Sequence, residues 1–504
     1  FVPLLRCRAA ADPDGLYARH LGEPISFAAM DRRSDALAWA LRRHGVARGD
    51  RLALMLRNRP EVVALLFAIA KLGAVWVPVN VQARGDNLGF VLTHSAPKMI
   101  VADPDPMPVI SEAAPALPPV HTFGAGAPGT AGDLAAAATP EPFYAPPPGA
   151  GDLFAIMYTS GTTGEPKGVL VTHAMLWYSA ESIALLTRPR PGEVFHMWEP
   201  LYHIGGAQMI LMPLIRDATL AMVDRFSASG FWQEVKEYGA SHIHYLGGIL
   251  QILLKQPPGP LDRTHGARVG FGGGCPAHLW RDFEARFGIE IREAYGMTET
   301  SSVSSFNDQG LVGSVGRSVP WHLNEVLDPD GNPVRPGERG EIVVSATEPG
   351  SITAGYLNNA EATARTIRNG NLHTGDIGSF DAQGNLYFHG RMTDSARVRG
   401  QNVSAWEVEH VAAQHPGVDD CAMIAVPAEI GEHEIALFVQ PKDGETIDPA
   451  DLSAWLTPRL AEYQNPRYLT MVERFDRTPS QRIMKHRLPR GLAGLWDRNA
   501  KAAL

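Results

Sequence analysis

Short apolar strands alternate with helix-patterned segments along this chain, and that alternation limits the fold more than any other feature. Ser26 to Leu41 carries helical apolar spacing, Arg51 to Leu56 (RLALML) is a short apolar strand, Val62 to Leu72 a helix, and Ala74 to Val79 (AVWVPV) a second strand. Parallel strands need a long crossover between them, and a helix is the usual one. A strand–helix–strand series therefore predicts a parallel sheet with helices on its faces. The pattern pauses over 103–150, where Ala, Pro and Gly dominate and periodicity vanishes; PPPGAGD (146–152) reads as a surface loop within one domain. It resumes with a strand at Phe154–Met157, a helix at Met175–Leu186, and βα units through Leu211–Val223, Phe231–Lys236, His242–Leu254 and Val269–Phe287.

From about residue 312 the texture changes to shorter strands and turns: GEIVVSA (340–346), NLHTGDIGSF (371–380) and GNLYFHG (384–390), with DPDGNP (328–333) as a hairpin turn. After Arg391 come a helix (Trp406–Ala413), strands (Cys421–Ala428, Ile435–Gln440) and a helix (Asp451–Leu460), which predict a separate α+β domain of about 110 residues. The expected fold class is α/β. A large N-terminal body of βα subdomains with a β-rich subdomain occupies 1–391, and a small C-terminal domain occupies 392–504.

Composition removes several function classes. With 45 Lys+Arg against 54 Asp+Glu the net charge is −9, so no basic surplus exists to neutralise nucleic-acid phosphates. No apolar run reaches the ~18–20 residues that span a bilayer; Val62 to Ala70 is closed by Glu61 and Lys71. Cys7, Cys275 and Cys421 form neither a disulfide framework nor a CxxC pair, so a reducing cytoplasm is expected and a cysteine zinc site is not. No signal-peptide pattern follows Phe1.

Directly after the strand at 154–157 comes Tyr158-Thr159-Ser160-Gly161-Thr162-Thr163-Gly164-Glu165-Pro166-Lys167-Gly168. Glycines let backbone N–H groups approach phosphate oxygens, hydroxyls add donors, and Lys167 supplies charge. A Walker A loop ends in GK[ST]; here Pro166 precedes the lysine and Gly168 follows it. A plain flexible loop has the same composition, so composition leaves both readings open.

The whole string resembles YTSGTTGxPKG, the signature loop of the adenylate-forming superfamily of acyl-CoA synthetases, peptide-synthetase adenylation domains and luciferases, at every fixed position. The resemblance implies that Thr159, Ser160, Gly161, Thr162, Thr163, Gly164 and Lys167 hold the ATP phosphates. Tyr295-Gly296-Met297-Thr298-Glu299 matches YGxTE, which implies Thr298 on the α-phosphate, Glu299 on Mg²⁺, and Tyr295, Gly296 and Met297 beside the nucleotide. A hydroxyl next to a carboxylate suits that hard cation, and equally a capped first turn of helix. Gly273, Gly274 and Cys275 take the place of the adenine-side loop, Asp376 of Thr374-Gly375-Asp376 that of the ribose ligand, and Arg391 that of its companion arginine. Residues 390–409 resemble the family's hinge segment, with Thr393 at the hinge and Arg399, Gly400 and Gln401 facing CoA after the small domain rotates.

Two regions depart from the pattern or leave it open. The family's catalytic lysine falls in PxGKIxKxxLR, and anchoring on Pro479 and Ile483 puts Arg482 at that position, with Lys485 three residues on. Either can supply the mobile cation for adenylation. On the substrate side, His203 in Pro200–Gly206 and Tyr245 and Gly247 match acyl-pocket positions, and the run Arg225–Trp232 resembles the crotonobetaine/carnitine-CoA ligase branch. The implied activity is an AMP- and pyrophosphate-forming acyl-CoA ligase using ATP, Mg²⁺ and CoA on a small carboxylic acid, with no nucleic acid and with a homodimer allowed. The alternatives are an adenylating enzyme that loads a carrier-protein thiol and a nucleotide-binding homologue without catalysis.

Overall fold

Strands buried on both faces are apolar at every position, and VWVP (Val75–Pro78) and MIVA (Met99–Ala102) are buried throughout. In the computed structural model of this chain the residues described are 1–113, 118, 120–124, 132–136, 141–159, 166–392, 395–398, 401–428, 433–478 and 483–500. They divide into two units, one of Phe1–Asn324 with Val344–Leu372, the other of Glu325–Val343 with His373–Leu504.

The first unit is built on two sheets. One has the strand order Val120–Thr122, Met99–Ala102, Arg51–Met55, Val75–Pro78, Leu153–Thr159, Lys167–Thr172, parallel except for the last pair. The other has nine strands, in the order Arg317–Ser318, Ser305–Asn307, Glu290–Tyr295, Val269–Gly273, His242–Leu246, Glu193–Met197, Ala218–Met222, Leu16–His20, Glu23–Ser26. Its six central strands are parallel and its outer pairs antiparallel.

The helices Phe27–Arg43 and Pro60–Leu72 share one apolar core with residues of both sheets, including Phe67, Trp76, Phe154, Phe195 and Phe271. Ser26 caps the first of these helices by accepting from Ala29 N. The second starts on Pro60 and stops at Gly73, whose φ of 67° is the left-handed end that glycine adopts without strain; every residue in it except Glu61 is buried. Lys71, on this helix, is buried in an ion cluster with Asp31 and Asp35, each at 2.5 Å.

The predicted alternation is present. The 103–150 region differs from the expectation of an unstructured loop, because it holds a helix, Met107–Ala113, and the edge strand Val120–Thr122. Elements this short leave no periodicity in a Pro-rich sequence. Among the described residues no helix is long and apolar enough to cross a membrane.

In the second unit, Asp328 closes the DPDGNP turn by accepting from Asp330 N and Asn332 N, both at 2.9 Å. A four-stranded sheet orders Val418–Pro427, His433–Pro441, Tyr468–Met471 and Trp496–Asp497. The helices Ala405–Ala412 and Pro449–Leu456 place Val408 and Leu452 in its core with Leu437 and Leu469. Ser404 and Glu407 form a capping box at the start of the first helix. The unit takes in 325–343 and 373–391, ahead of the 391/392 division expected from sequence.

Candidate active site

In open parallel sheets, ligands bind beyond the carboxyl ends of the strands. Three adjacent strands of the nine-stranded sheet end in motif residues there: His242–Leu246 leads into Gly247, Val269–Gly273 into Gly274 and Cys275, and Glu290–Tyr295 into Gly296–Glu299. Missing side chains let the first two of these segments touch and the third fold closely on itself. A Cβ on Gly247 would lie 1.9 Å from Gly274 O, one on Gly272 1.8 Å from Tyr245 O, and one on Gly296 2.4 Å from Ser302 O.

Beneath this contact lies Glu293, buried in the same strand as Tyr295. Its Oε1 accepts from Gly274 N at 2.5 Å and Cys275 N at 3.1 Å, and its Oε2 from the Tyr245 hydroxyl at 2.5 Å. Burial raises its carboxyl to about 7, against the pull of these three donors. Tyr245, read from sequence as an acyl-pocket residue, is fully buried, and its hydroxyl also reaches Arg292 O at 3.1 Å. Burial, with Glu293 second, pushes both the Tyr245 phenol and the Cys275 thiol upward, so Cys275 remains a protonated packing residue.

On the phosphate side, the strands Leu153–Thr159 and Lys167–Thr172 pair antiparallel, with Thr159 opposite Lys167. Ser160, Gly161, Thr162, Thr163 and Gly164 lie outside the described residues. Lys167 therefore belongs to the sheet edge. Residues 353–357 run alongside this strand through Leu170 N to Gly355 O (3.1 Å) and Leu357 N to Gly168 O (2.8 Å). That places the Tyr356 ring 4.9 Å from Lys167 Nζ, while its hydroxyl donates to Glu299 Oε1 at 2.8 Å. Glu299 is buried, and its backbone oxygen accepts from Thr353 N at 2.8 Å. Thr298, half-buried, opens the 3₁₀ turn Thr298–Thr300, and Thr300 Oγ1 accepts from Met297 N at 3.1 Å.

The 198–206 segment is anchored by Asn58, which donates to Glu199 O at 2.8 Å and accepts from Leu201 N at 2.9 Å. His203 is the residue before the short helix Ile204–Ala207, and its ring stands 4.7 Å from that of Tyr202. The Glu199 carboxylate packs against Gly205, where a Cβ would meet it at 2.6 Å, and lies 3.0 Å from His244 Nδ1.

In the second unit, Asp376 is buried opposite Arg391 in the register, and their side chains pair at 3.2 Å. Thr374 Oγ1 accepts from Asp376 N at 3.0 Å and donates to Ile342 O at 2.6 Å, fixing the TGD segment within the strand Asn371–Phe380. Lys485, in the 3₁₀ turn Lys485–Arg487, is paired with Glu409 at 2.8 Å, and the same Glu409 oxygen accepts from Met423 N at 2.6 Å. Thr393, Arg399, Gly400 and Arg482 lie outside the described residues, and Gln401 is described only through its backbone pairing with Val398.

Sequence reasoning passed over Glu293, Tyr356, Glu199 and Glu409. Only Glu293 left a local signal, as two adjacent charges, Arg292 and Glu293, inside a strand. A magnesium ion fits the donor set around Glu299: one buried carboxylate on a hydrogen-bonded tether suits an ion that takes few protein oxygens and keeps the rest of its shell as water and phosphate. Among the described residues no group of three or more His, Cys, Asp or Glu gathers to hold a metal by itself.

Residues 6–357 match the AMP-binding enzyme family, and residues 407–482 match the AMP-binding enzyme C-terminal domain. A feruloyl-CoA synthase of Amycolatopsis sp. is 32% identical over 493 residues, covering 95% of this chain and 96% of the relative. A crotonobetaine/carnitine–CoA ligase of Salmonella enteritidis is 30% identical over 490 residues, covering 92% and 93%. The o-succinylbenzoate CoA synthetase of Bacillus subtilis, solved with ATP and a magnesium ion, superposes with a TM-score of 0.84 at 25% identity, covering 96% of this chain and 98% of that one. Its complex with the acyl-adenylate intermediate gives 0.85, also at 25% identity, covering 96% and 97%.

Proposed function

The chain belongs to the AMP-binding enzyme family, the adenylate-forming acyl-CoA ligases, and from that premise we propose how its residues divide the reaction. It is an ATP-dependent acid–thiol ligase: a carboxylate attacks the α-phosphorus of ATP to give an acyl-AMP and pyrophosphate, and the CoA thiol then takes the acyl group and releases AMP. A carboxylate is a poor acyl donor, and the mixed anhydride with AMP gives it a leaving group. The protein's part is positioning and charge neutralisation.

The observation that carries the assignment of roles is the cluster of Lys167, Tyr356 and Glu299. It joins the phosphate-loop lysine to the carboxylate that would hold Mg²⁺. Lys167, with residues 159–164, binds the β- and γ-phosphates, and Thr298 the α-phosphate. The Mg²⁺ held at Glu299 would neutralise charge developing on the phosphate oxygens. Gly273–Cys275 and Tyr295–Met297 flank the adenine, while Asp376, with its neighbour Arg391, takes the ribose hydroxyls. His203, Tyr245 and Gly247 shape the acid side. Residues 392–504 turn about Thr393 between the two half-reactions and bring Arg399–Gln401 to CoA. Arg482 is the adenylation cation, a reading supported by the engagement of Lys485 with Glu409. Three cysteines without CxxC spacing support a cytoplasmic setting.

The test is incubation with ATP, Mg²⁺, CoA and an acid panel that includes ferulate and carnitine, scored for AMP and thioester. AMP and thioester in equal amounts support the ligase. Pyrophosphate release with no CoA product for any acid would turn the assignment toward carrier-protein loading. Nucleotide binding with no turnover would reject catalysis.

A further inference from the structure

Glu293 occupies a position that none of the motifs assigns. It is 4% exposed, and its hydrogen-bond partners among the described residues are neutral: the amides of Gly274 and Cys275 and the hydroxyl of Tyr245. A buried carboxylate without a cation is costly to hold, and three donors aimed at it mark a built arrangement. The donors come from two different strand ends. Tyr245 lies two residues before Gly247, and Gly274 and Cys275 form the neighbouring loop. These same two segments touch directly, because Gly247 and Gly274 leave no room for a Cβ between them. Two residues beyond Glu293, its own strand delivers Tyr295 and then Thr298 and Glu299.

We propose that Glu293 is a positioning residue that locks the acid-side strand end at Tyr245–Gly247 to the nucleotide-side loop at Gly274–Cys275, so that the two subsites keep one shared geometry. This rests on the assignment of those two segments above. In this role Glu293 acts through the amides and the hydroxyl that it holds. A glutamine can do the same work. Its oxygen replaces Oε1 under the two amides, and its amide donates to the Tyr245 oxygen, whose hydrogen turns to Arg292 O, already 3.1 Å away. A leucine leaves two buried amides and a phenol without their acceptor.

The experiment measures AMP affinity without acid, and KM for ATP, CoA and the acid that the wild type activates fastest, in the full chain. Glu293→Leu is expected to weaken AMP binding and to raise KM for both ATP and acid by about tenfold with KM for CoA unchanged, and Glu293→Gln to stay within about twofold. Tyr245→Phe is expected to raise KM for acid in the wild type and to add nothing in Glu293→Leu, since both remove the same tie. Should Glu293→Leu not fold, Glu293→Asp, one methylene shorter, carries the same expectation. The proposal is overturned by unchanged AMP affinity in the Leu or Asp variant, by Gln as impaired as Leu, by additive Tyr245 and Glu293 effects, or by an equal rise in KM for CoA. A wild type that binds AMP but forms no thioester would defeat the ligase assignment instead, and the AMP affinities of the variants would still decide for or against the tie.

Discussion

Tyr356 donates its hydroxyl to Glu299 Oε1 at 2.8 Å, while its ring lies 4.9 Å from Lys167 Nζ. One phenol thus orients the carboxylate assigned to Mg²⁺ and lies against the cation assigned to the phosphates. Removing the hydroxyl alone separates these roles. Tyr356→Phe keeps the ring beneath Lys167 and frees Glu299, and is expected to slow acyl-adenylate formation about tenfold, the worth of one hydrogen bond to a charged group. Tyr356→Leu, which also removes the ring, should be slower still. Pyrophosphate-exchange rates check both, and a Phe variant at the wild-type rate would show that Glu299 orients itself without the phenol.

Lys485 is held by Glu409, and its ammonium is therefore committed within its own unit. Arg482→Ala is expected to lower the adenylation rate about a hundredfold or more, as removal of a transition-state cation does. Lys485→Ala should cost less than about tenfold, together with about 1 kcal/mol of stability from the lost, partly exposed ion pair. Single-turnover AMP formation ranks the two, and the reverse order would reassign the cation to Lys485.

Stability should carry the signature of Glu293. Burial raises its folded-state value from the ordinary 4.5 to about 7, so the folded chain retains a proton that the unfolded chain releases between those values. The group's favourable contribution is full below about pH 4.5 and is lost as pH rises through about 7. Glu293→Gln does not titrate. Between pH 5 and 8 the wild type is therefore expected to lose about 3 kcal/mol relative to this variant and then level off. Urea unfolding of both proteins across that range checks the slope, and parallel curves would remove Glu293 from the account.

The glycine contact can be probed by adding one carbon. Gly247→Ala would set a Cβ 1.9 Å from Gly274 O, so backbone must move, and a cost above about 2 kcal/mol with weakened acid and ATP binding is expected. Gly259→Ala, with nothing within 4 Å of its Cβ, should stay within about 0.5 kcal/mol. Thermal midpoints and KM values for the two variants make the comparison.

Local order along the chain explains which features could be read from sequence. The helix expected over Val62–Leu72 was legible from its apolar run, and the residues that end it in the structure, Pro60 and Gly73, are its neighbours in sequence. The adenine-side and YGxTE motifs were legible for the same reason, since each is a short run of neighbours that begins at the end of its strand. Tyr356 was not, because its partners Lys167 and Glu299 are far away along the chain and meet only when residues 353–357 pair with the strand Lys167–Thr172. Glu199 and Glu409 were hidden similarly, their partners His244 and Lys485 lying 45 and 76 positions on. The helix Met107–Ala113 escaped notice through brevity, at seven residues with a proline in its first turn.

The contact of Gly247 with Gly274 makes the partition between the segment assigned to the acid and the loop assigned to adenine a single backbone contact. Such a partition has no side chain to trim and no slack to take up. A descendant of this chain that accepts a bulkier acid gains nothing by carving here, because any displacement is passed on to the loop assigned to adenine. Room must come from the other segment assigned to the acid, the one that carries His203. Selection for new acids is thereby steered onto that segment, while the loop assigned to adenine stays as it was inherited.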